Sequence, residues 1–174
     1  SNKSVSIEGV TISSILRRTG PPSAPTVRTM WAIRVLVVAD RLAGDLIAPR
    51  LSEHPDLVVI GRAGPDEAWA EKATRCGVGV VVLDLASSTA NWATTVRELL
   101  DRDEQVRVVV IGDELNPGSA STAAGAGVTG WLPPGCTEAE LVHAVLAVHQ
   151  GDAVYPPGEL AVVLAELRAD VVRA

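Results

Sequence analysis

Cysteine is scarce in this chain: Cys76 and Cys136 are the only two in 174 residues. Two thiols cannot staple a disulfide scaffold, so a reduced, cytoplasmic setting is the expectation. No apolar run approaches the roughly eighteen residues that a membrane span needs. The N-terminus lacks the basic-then-apolar pattern of a secretory signal. An excess of basic residues is missing too. Lys and Arg number 15 against 21 Asp and Glu, a net charge of −6. That balance argues against direct nucleic-acid binding by this chain. No phosphate-binding GxxxxGKS or GxxxxGKT occurs. His54, His143 and His149 share no metal-like spacing with the cysteines and read as surface helix residues. No Ser-His-Asp or Cys-His arrangement assembles, so the chain is not expected to be an enzyme. What is present is ordinary globular material, 47% hydrophobic and 21% charged, which excludes disorder of the whole chain.

Charge and texture divide the chain in three. Residues 1–29 carry a net +3, residues 30–155 a net −8, and residues 156–174 a net −1. The first stretch ends in the linker-like Gly20-Pro21-Pro22-Ser23-Ala24-Pro25, before the one methionine, Met30. It reads as an appendage: a tag, or sequence upstream of a start at Met30. The middle stretch alternates between two textures. Short apolar runs at 32–38, 57–60, 79–83, 106–111 and 129–132 read as strands buried on both faces of a parallel sheet. Between them lie helical spacings. Leu42, Leu46, Ile47 and Leu51 form one apolar face; Ala68, Trp69, Ala73 and Cys76 form the next. Trp92, Val96, Leu99 and Leu100, then Leu141, Val142, Val145 and Val148, form two more. Gly77 is placed as a helix C-terminal glycine, and Thr137 with Glu140 as a capping box. The segment 118–127 has no large apolar residue and is expected to be short, irregular or mobile. The pattern is α/β: a (βα)5 doubly wound parallel sheet, followed by a linker helix over 160–172.

Gly125-Ala126-Gly127-Val128-Thr129-Gly130 matches GxGxxG literally. A dinucleotide fingerprint must leave a strand and open a helix. Here the order is inverted, so the preferred reading is a helix-to-strand turn. The informative residues are carboxylates at strand ends, where doubly wound sheets bind ligands. Asp40 follows the first strand and Asp84 closes the third. Two carboxylates with a nearby carbonyl, that of Ala86, make a minimal Mg²⁺ site, and a carboxylate beside such an ion can accept a phosphoryl group. The simpler reading is that each aspartate caps a turn.

A family resemblance runs through residues 32–155. Ile33-Arg34-Val35-Leu36-Val37-Val38-Ala39-Asp40 resembles the first strand of response-regulator receiver domains, which ends in Asp-Asp. Pro55-Asp56-Leu57-Val58-Val59-Ile60-Gly61-Arg62-Ala63 resembles the second strand of the NarL/FixJ type. Val81-Val82-Leu83-Asp84-Leu85 is similar to the phospho-acceptor strand. Ala126-Gly127-Val128-Thr129-Gly130-Trp131-Leu132 and Thr137-Glu138-Ala139-Glu140-Leu141 are similar to the family's fifth strand and last helix start. The resemblance implies a flavodoxin-like sheet in order 2-1-3-4-5, with Asp84 at the phospho-acceptor position and Trp131 at the aromatic switch position.

The departures are as specific as the matches. One of the two acidic residues after strand one is replaced by Ala39. Gly112 stands where the family has Thr or Ser, and Pro134 where it has Lys. Ser87-Ser88-Thr89 replaces the Met-Pro-Gly turn. A phosphoryl group on Asp84 would meet neither a hydroxyl nor a cation, so nothing would pull the strand-four and strand-five loops inward. The reading is an atypical receiver in signal transduction and transcription regulation, acting through protein–protein contacts. It requires no cofactor and binds Mg²⁺ weakly at most, through Asp40 and Asp84. Two alternatives stay open: a small-molecule effector sensor, using space left at Gly112 and Pro134, and an ordinary phosphoacceptor of a two-component phosphorelay with a histidine kinase. The resemblance also implies a DNA-binding domain in the full-length protein. Homodimerisation is expected through the last receiver helix or the 160–172 helix, where Leu160, Val163, Leu164 and Leu167 form a stripe.

Overall fold

The structure is a computed structural model, and it describes residues 31–88, 91–113 and 119–173. The expected appendage at 1–29 and Gly118 of the small-residue segment lie outside the described residues. In chain order the elements are β1 (Ile33–Val38), α1 (Arg41–Ser52), β2 (Leu57–Ala63), α2 (Trp69–Arg75), β3 (Val80–Asp84) and α3 (Trp92–Arg102). β4 (Arg107–Ile111), α4 (Ser119–Ala126), β5 (Gly130–Leu132), α5 (Glu138–His149) and α6 (Pro157–Arg173) follow. The five strands form one parallel sheet in the order β2-β1-β3-β4-β5, as the sequence implies.

Strands this apolar form because both sheet faces are covered. Leu36, Val38, Val81, Leu83, Val108 and Val110 point into one core, closed by α2, α3 and α4 through Trp69, Ala73, Leu99 and Ala123. Their neighbours Val35, Val37, Val80, Val82, Val109 and Ile111 point into the other, closed by α1 and α5 through Leu51, Leu141 and Val145. Period-two alternation thus survives inside continuous apolar runs, with each face served by its own helices.

Local signals hold where their chemistry is specific. Gly77 takes φ +62° after α2. Thr137 and Glu140 close a reciprocal capping box on α5. Gly127 takes φ +97° between α4 and β5, so GxGxxG is a helix-to-strand turn.

Several expectations are corrected. β2 runs on to Ala63, because Val37 and Val38 pair with Arg62 and Ala63 beyond an irregularity between Val35 and Leu36. α1 buries Gly44, Ala48 and Leu51 and leaves Leu42 and Leu46 exposed. Its phase is fixed by Asp40 at the N-cap and by the sheet contact at Gly44, where an added Cβ would already lie 3.4 Å from Arg62 Cδ. Ala68 is exposed, so α2 buries Trp69, Ala70 and Ala73 instead. His54 lies half-buried in the turn after α1 rather than on a helix. α4 is short, as expected, but helical over its eight residues rather than irregular, because small Ala123 and Ala126 fit against the first core. α6 starts at Pro157, a residue whose missing N–H is tolerated in a first helical turn.

The chain beyond α5 is tied to the sheet. Trp131 N–H donates to Val154 O at 2.7 Å, and Val154 N–H to Thr129 O at 2.8 Å, so residue 154 bridges in parallel to β5. The Tyr155 hydroxyl donates to Val128 O, and α6 then packs against α4. No described helix is long and apolar enough to cross a membrane.

Candidate functional site

The site lies at the carboxyl ends of β1, β3, β4 and β5. Asp84 is 7% exposed, the one charged side chain buried among the described residues. Its carboxylate is locally satisfied: Ser87 Oγ donates to Oδ2 at 2.7 Å and Ala86 N–H to Oδ1 at 3.3 Å. Leu85 N–H donates to Ile111 O at 2.9 Å and fixes the turn that follows. Asp40 caps α1 by accepting from Ala43 N–H at 2.8 Å. That bond holds its carboxyl below the ordinary value of 3.8; burial opposes it, and the Ser87 hydroxyl and Leu42 N–H assist. Ser87 donates its one hydroxyl proton to Asp84, a role not evident from its place in the chain after β3.

The two carboxylates open on different hollows. Asp40 lines one of about 220 Å³ with Arg41, Gly44, Arg62 and Glu67. Arg62 is itself ion-paired with Asp45. Asp84 lines a cleft of about 280 Å³ with Ala86, Arg50, Leu46, Pro134 and Cys136. Ala86, expected to offer its carbonyl to an ion, thus borders Asp84 but not the hollow of Asp40. Ala39 carries no oxygen to complete a set, and the described residues hold no group of three His, Cys, Asp or Glu side chains placed for a metal ion. Mg²⁺ prefers six oxygens in near-ideal octahedral array. Asp40 and Asp84 supply carboxylate oxygens to separate hollows, short of that set.

Gly112 and Trp131 determine the rest. Trp131 is 1% exposed and lies against Gly112. A Cβ at residue 112 would stand 2.9 Å from both Leu85 Cδ1 and Trp131 Cζ2. The space freed by glycine is thus filled by indole, and only Pro134 of the two expected pocket formers lines the cleft. Residues the sequence reading missed are Arg50, Leu46 and Cys136. Leu46 and Arg50 are one turn apart on α1, and a spacing argument that had the helix phase right would have found them. Burial pushes the Cys136 thiol up, Glu140 adds to that, and Arg50 opposes it.

No protein-family model matches the chain. The protein-glutamate methylesterase/protein-glutamine glutaminase of Geobacillus kaustophilus is 35% identical over 96 residues, 55% of this chain. The chain spans only 27% of that enzyme's length. Among solved structures, the response regulator ChrA of a heme-sensing two-component system aligns with 78% of this chain at TM-score 0.60 and 23% identity. The chain spans 65% of ChrA. The signal receiver domain of NarL from Mycobacterium tuberculosis aligns over 69% of this chain and 98% of its own, with TM-score 0.63 and 26% identity. LuxR-family response regulators share the fold. Strand order and these neighbours together give this chain the fold of response-regulator receiver domains.

Proposed function

We propose that this receiver is atypical: it signals through protein–protein contacts without a phosphorylation switch at Asp84. The observation that carries this reading is Trp131 seated on Gly112. An aromatic already buried against residue 112 has no empty place to move into, and residue 112 has no hydroxyl to draw it there. Pro134 adds no cation, so charge placed on Asp84 would gain no new charge-assisted partner from that position. In this reading the domain performs no chemistry of its own, needs no cofactor, and works in the cytoplasm without contacting nucleic acid or membrane directly. A DNA-binding domain in the full-length protein delivers the output, as in DNA-binding LuxR-family regulators of this fold. A histidine kinase is dispensable to it.

The test is a titration with beryllium fluoride, a phosphoryl mimic, at millimolar Mg²⁺, followed by tryptophan fluorescence and by amide NMR. The expected outcome is no saturable change. A saturable change lost in Asp84→Asn, with shifts in the loops after β4 and β5, restores the ordinary phosphoacceptor reading. A second reading rests on the cleft beside Asp84, where Arg50 and Asp84 stand beside apolar Leu46 and Pro134. That lining suits a small effector bearing both charge signs, although about 280 Å³ is at the small end for ligand sites. Ligand-induced melting shifts that disappear in Arg50→Ala are its test.

A further inference from the structure

We infer that Ser87 is a positioning residue that keeps Asp40 and Asp84 from sharing a divalent cation, because its hydroxyl holds the Asp84 oxygen that a shared ion would need. The inference rests on the atypical reading above and gives it a cause of its own, apart from Trp131 and Gly112. It starts from the split of the site. Val38 pairs with Leu83 in the sheet, so Asp40 and Asp84 leave adjacent strands within two residues of that pair. Two carboxylates so placed are expected to face a common space, yet they line separate hollows. Ser87 is the group within reach of both. Its Oγ donates to Asp84 Oδ2 at 2.7 Å, and the same hydroxyl helps to hold the Asp40 carboxyl down. An ion bridging the two carboxylates would have to take its place.

The backbone sets this hydroxyl in position. Leu85 N–H donates to Ile111 O at 2.9 Å, and Ser88 N–H donates to Leu85 O at 3.1 Å, closing a turn with Ala86 and Ser87 at its centre. Ser87 thus reaches Asp84 with a short side chain that costs little to order. The bond has the length of a charge-assisted one. Asp84 is 7% exposed, and Ala86 N–H takes its other oxygen, Oδ1, at 3.3 Å. Leu85 and Ala86 carry no side-chain donor, so no neighbour in the turn takes over Oδ2 when the Ser87 hydroxyl is removed. A buried carboxylate without its donor is stabilised by pairing or by coordinating a metal ion. The serine oxygen does not compensate as a ligand, because a neutral hydroxyl is a poorer partner for a hard cation than the carboxylate oxygen it occupies.

The experiment titrates Mn²⁺ alone, a cation that takes oxygen ligands, into the full chain. Paramagnetic broadening is followed at two amides: Ala43, which bonds Asp40, and Leu85, which follows Asp84. Ser87→Ala is expected to bind at least about tenfold more tightly than wild type, the difference that one hydrogen bond to a charged group sets. In that variant both amides should broaden with one midpoint. Adding Asp40→Asn, which keeps the cap on α1, or Asp84→Asn should abolish the shared binding. Ser87→Thr restores a hydroxyl and should return to the wild-type affinity. Urea midpoints of the variants check that the fold is kept. Equal affinity in wild type and Ser87→Ala overturns the inference, and so does an absence of binding in both. Tighter binding by wild type also overturns it, because the serine oxygen is then a ligand. None of these outcomes bears on the beryllium fluoride result, which tests the atypical reading on the wild type by itself.

Discussion

A hydroxymethyl group at residue 112 has no room. Its first carbon would stand 2.9 Å from Leu85 Cδ1 and from Trp131 Cζ2, well inside ordinary contact. Gly112→Ser, which adds a hydroxyl there, is therefore expected to destabilise the domain by about 1–3 kcal/mol, the usual cost of overpacking a tight core. Urea unfolding measures it, and the Trp131 environment should move with it in near-ultraviolet circular dichroism. An unchanged midpoint would mean that the indole gives way freely, and with it the main support for an immobile aromatic. Tyr155, the one tyrosine in the chain, offers a second test at this scale. Burial pushes its hydroxyl up to about 12 from 10, and the hydroxyl donates to Val128 O. The folded chain thus holds this proton more tightly than the unfolded one. The stability linked to it is intact below pH 10 and is lost as pH rises from 10 through about 12. Phenolate absorbance follows this single group directly, and a midpoint near 10 in the folded protein would refute its burial.

At the scale of elements, the strongest local signal is the capping box of α5. Thr137 Oγ1 accepts from Glu140 N–H at 3.2 Å, and Glu140 Oε2 accepts from Thr137 N–H at 2.7 Å. Thr137→Ala should cost about 1 kcal/mol, read as a lower urea midpoint with an unchanged slope. This box was fully legible in the sequence, because capping depends on residue types three apart and on nothing distant. The same is true of the strands, whose apolar runs are bounded by polar segments. α1 shows where legibility fails. Leu42 and Leu46 have helical spacing with Leu51, yet the helix buries Gly44 and Ala48. The choice between these two stripes depends on how closely α1 approaches β2, which no local pattern contains. α4 fails in the opposite way. Its small residues read as poor helix material, and burial of Ala123 and Ala126 in the core overrides that propensity.

Among the described residues, the five-stranded receiver is joined to the C-terminal helix through the bridge at Val154, the Tyr155 hydroxyl bonded to Val128 O, and packing between α4 and α6. That attachment is slight beside the two cores. A chain ending after Pro156 is therefore expected to unfold in one cooperative step, with a stability lower by roughly 1.5–3 kcal/mol for the lost burial at Val163. Chemical denaturation followed by tryptophan fluorescence measures it. Loss of cooperative unfolding would make α6 a structural part of the receiver rather than an addition to it.

The sequence by itself determined the fold class, the strand boundaries to within a few residues, and the placing of Asp40 and Asp84 at strand ends. All three follow from periodicity and from residue types at fixed short offsets. The resemblance implies departures at Ala39, Gly112 and Pro134, since a residue's identity at a matched position needs no coordinates. The tertiary structure alone decided what fills the space those departures leave. Trp131 occupies the place beside Gly112, Ser87 bonds Asp84, and Asp40 and Asp84 face separate hollows. These outcomes depend on contacts between residues tens of positions apart. A side chain's direction across a sheet is set by packing from both faces together, and a linear pattern carries only one strand or helix at a time.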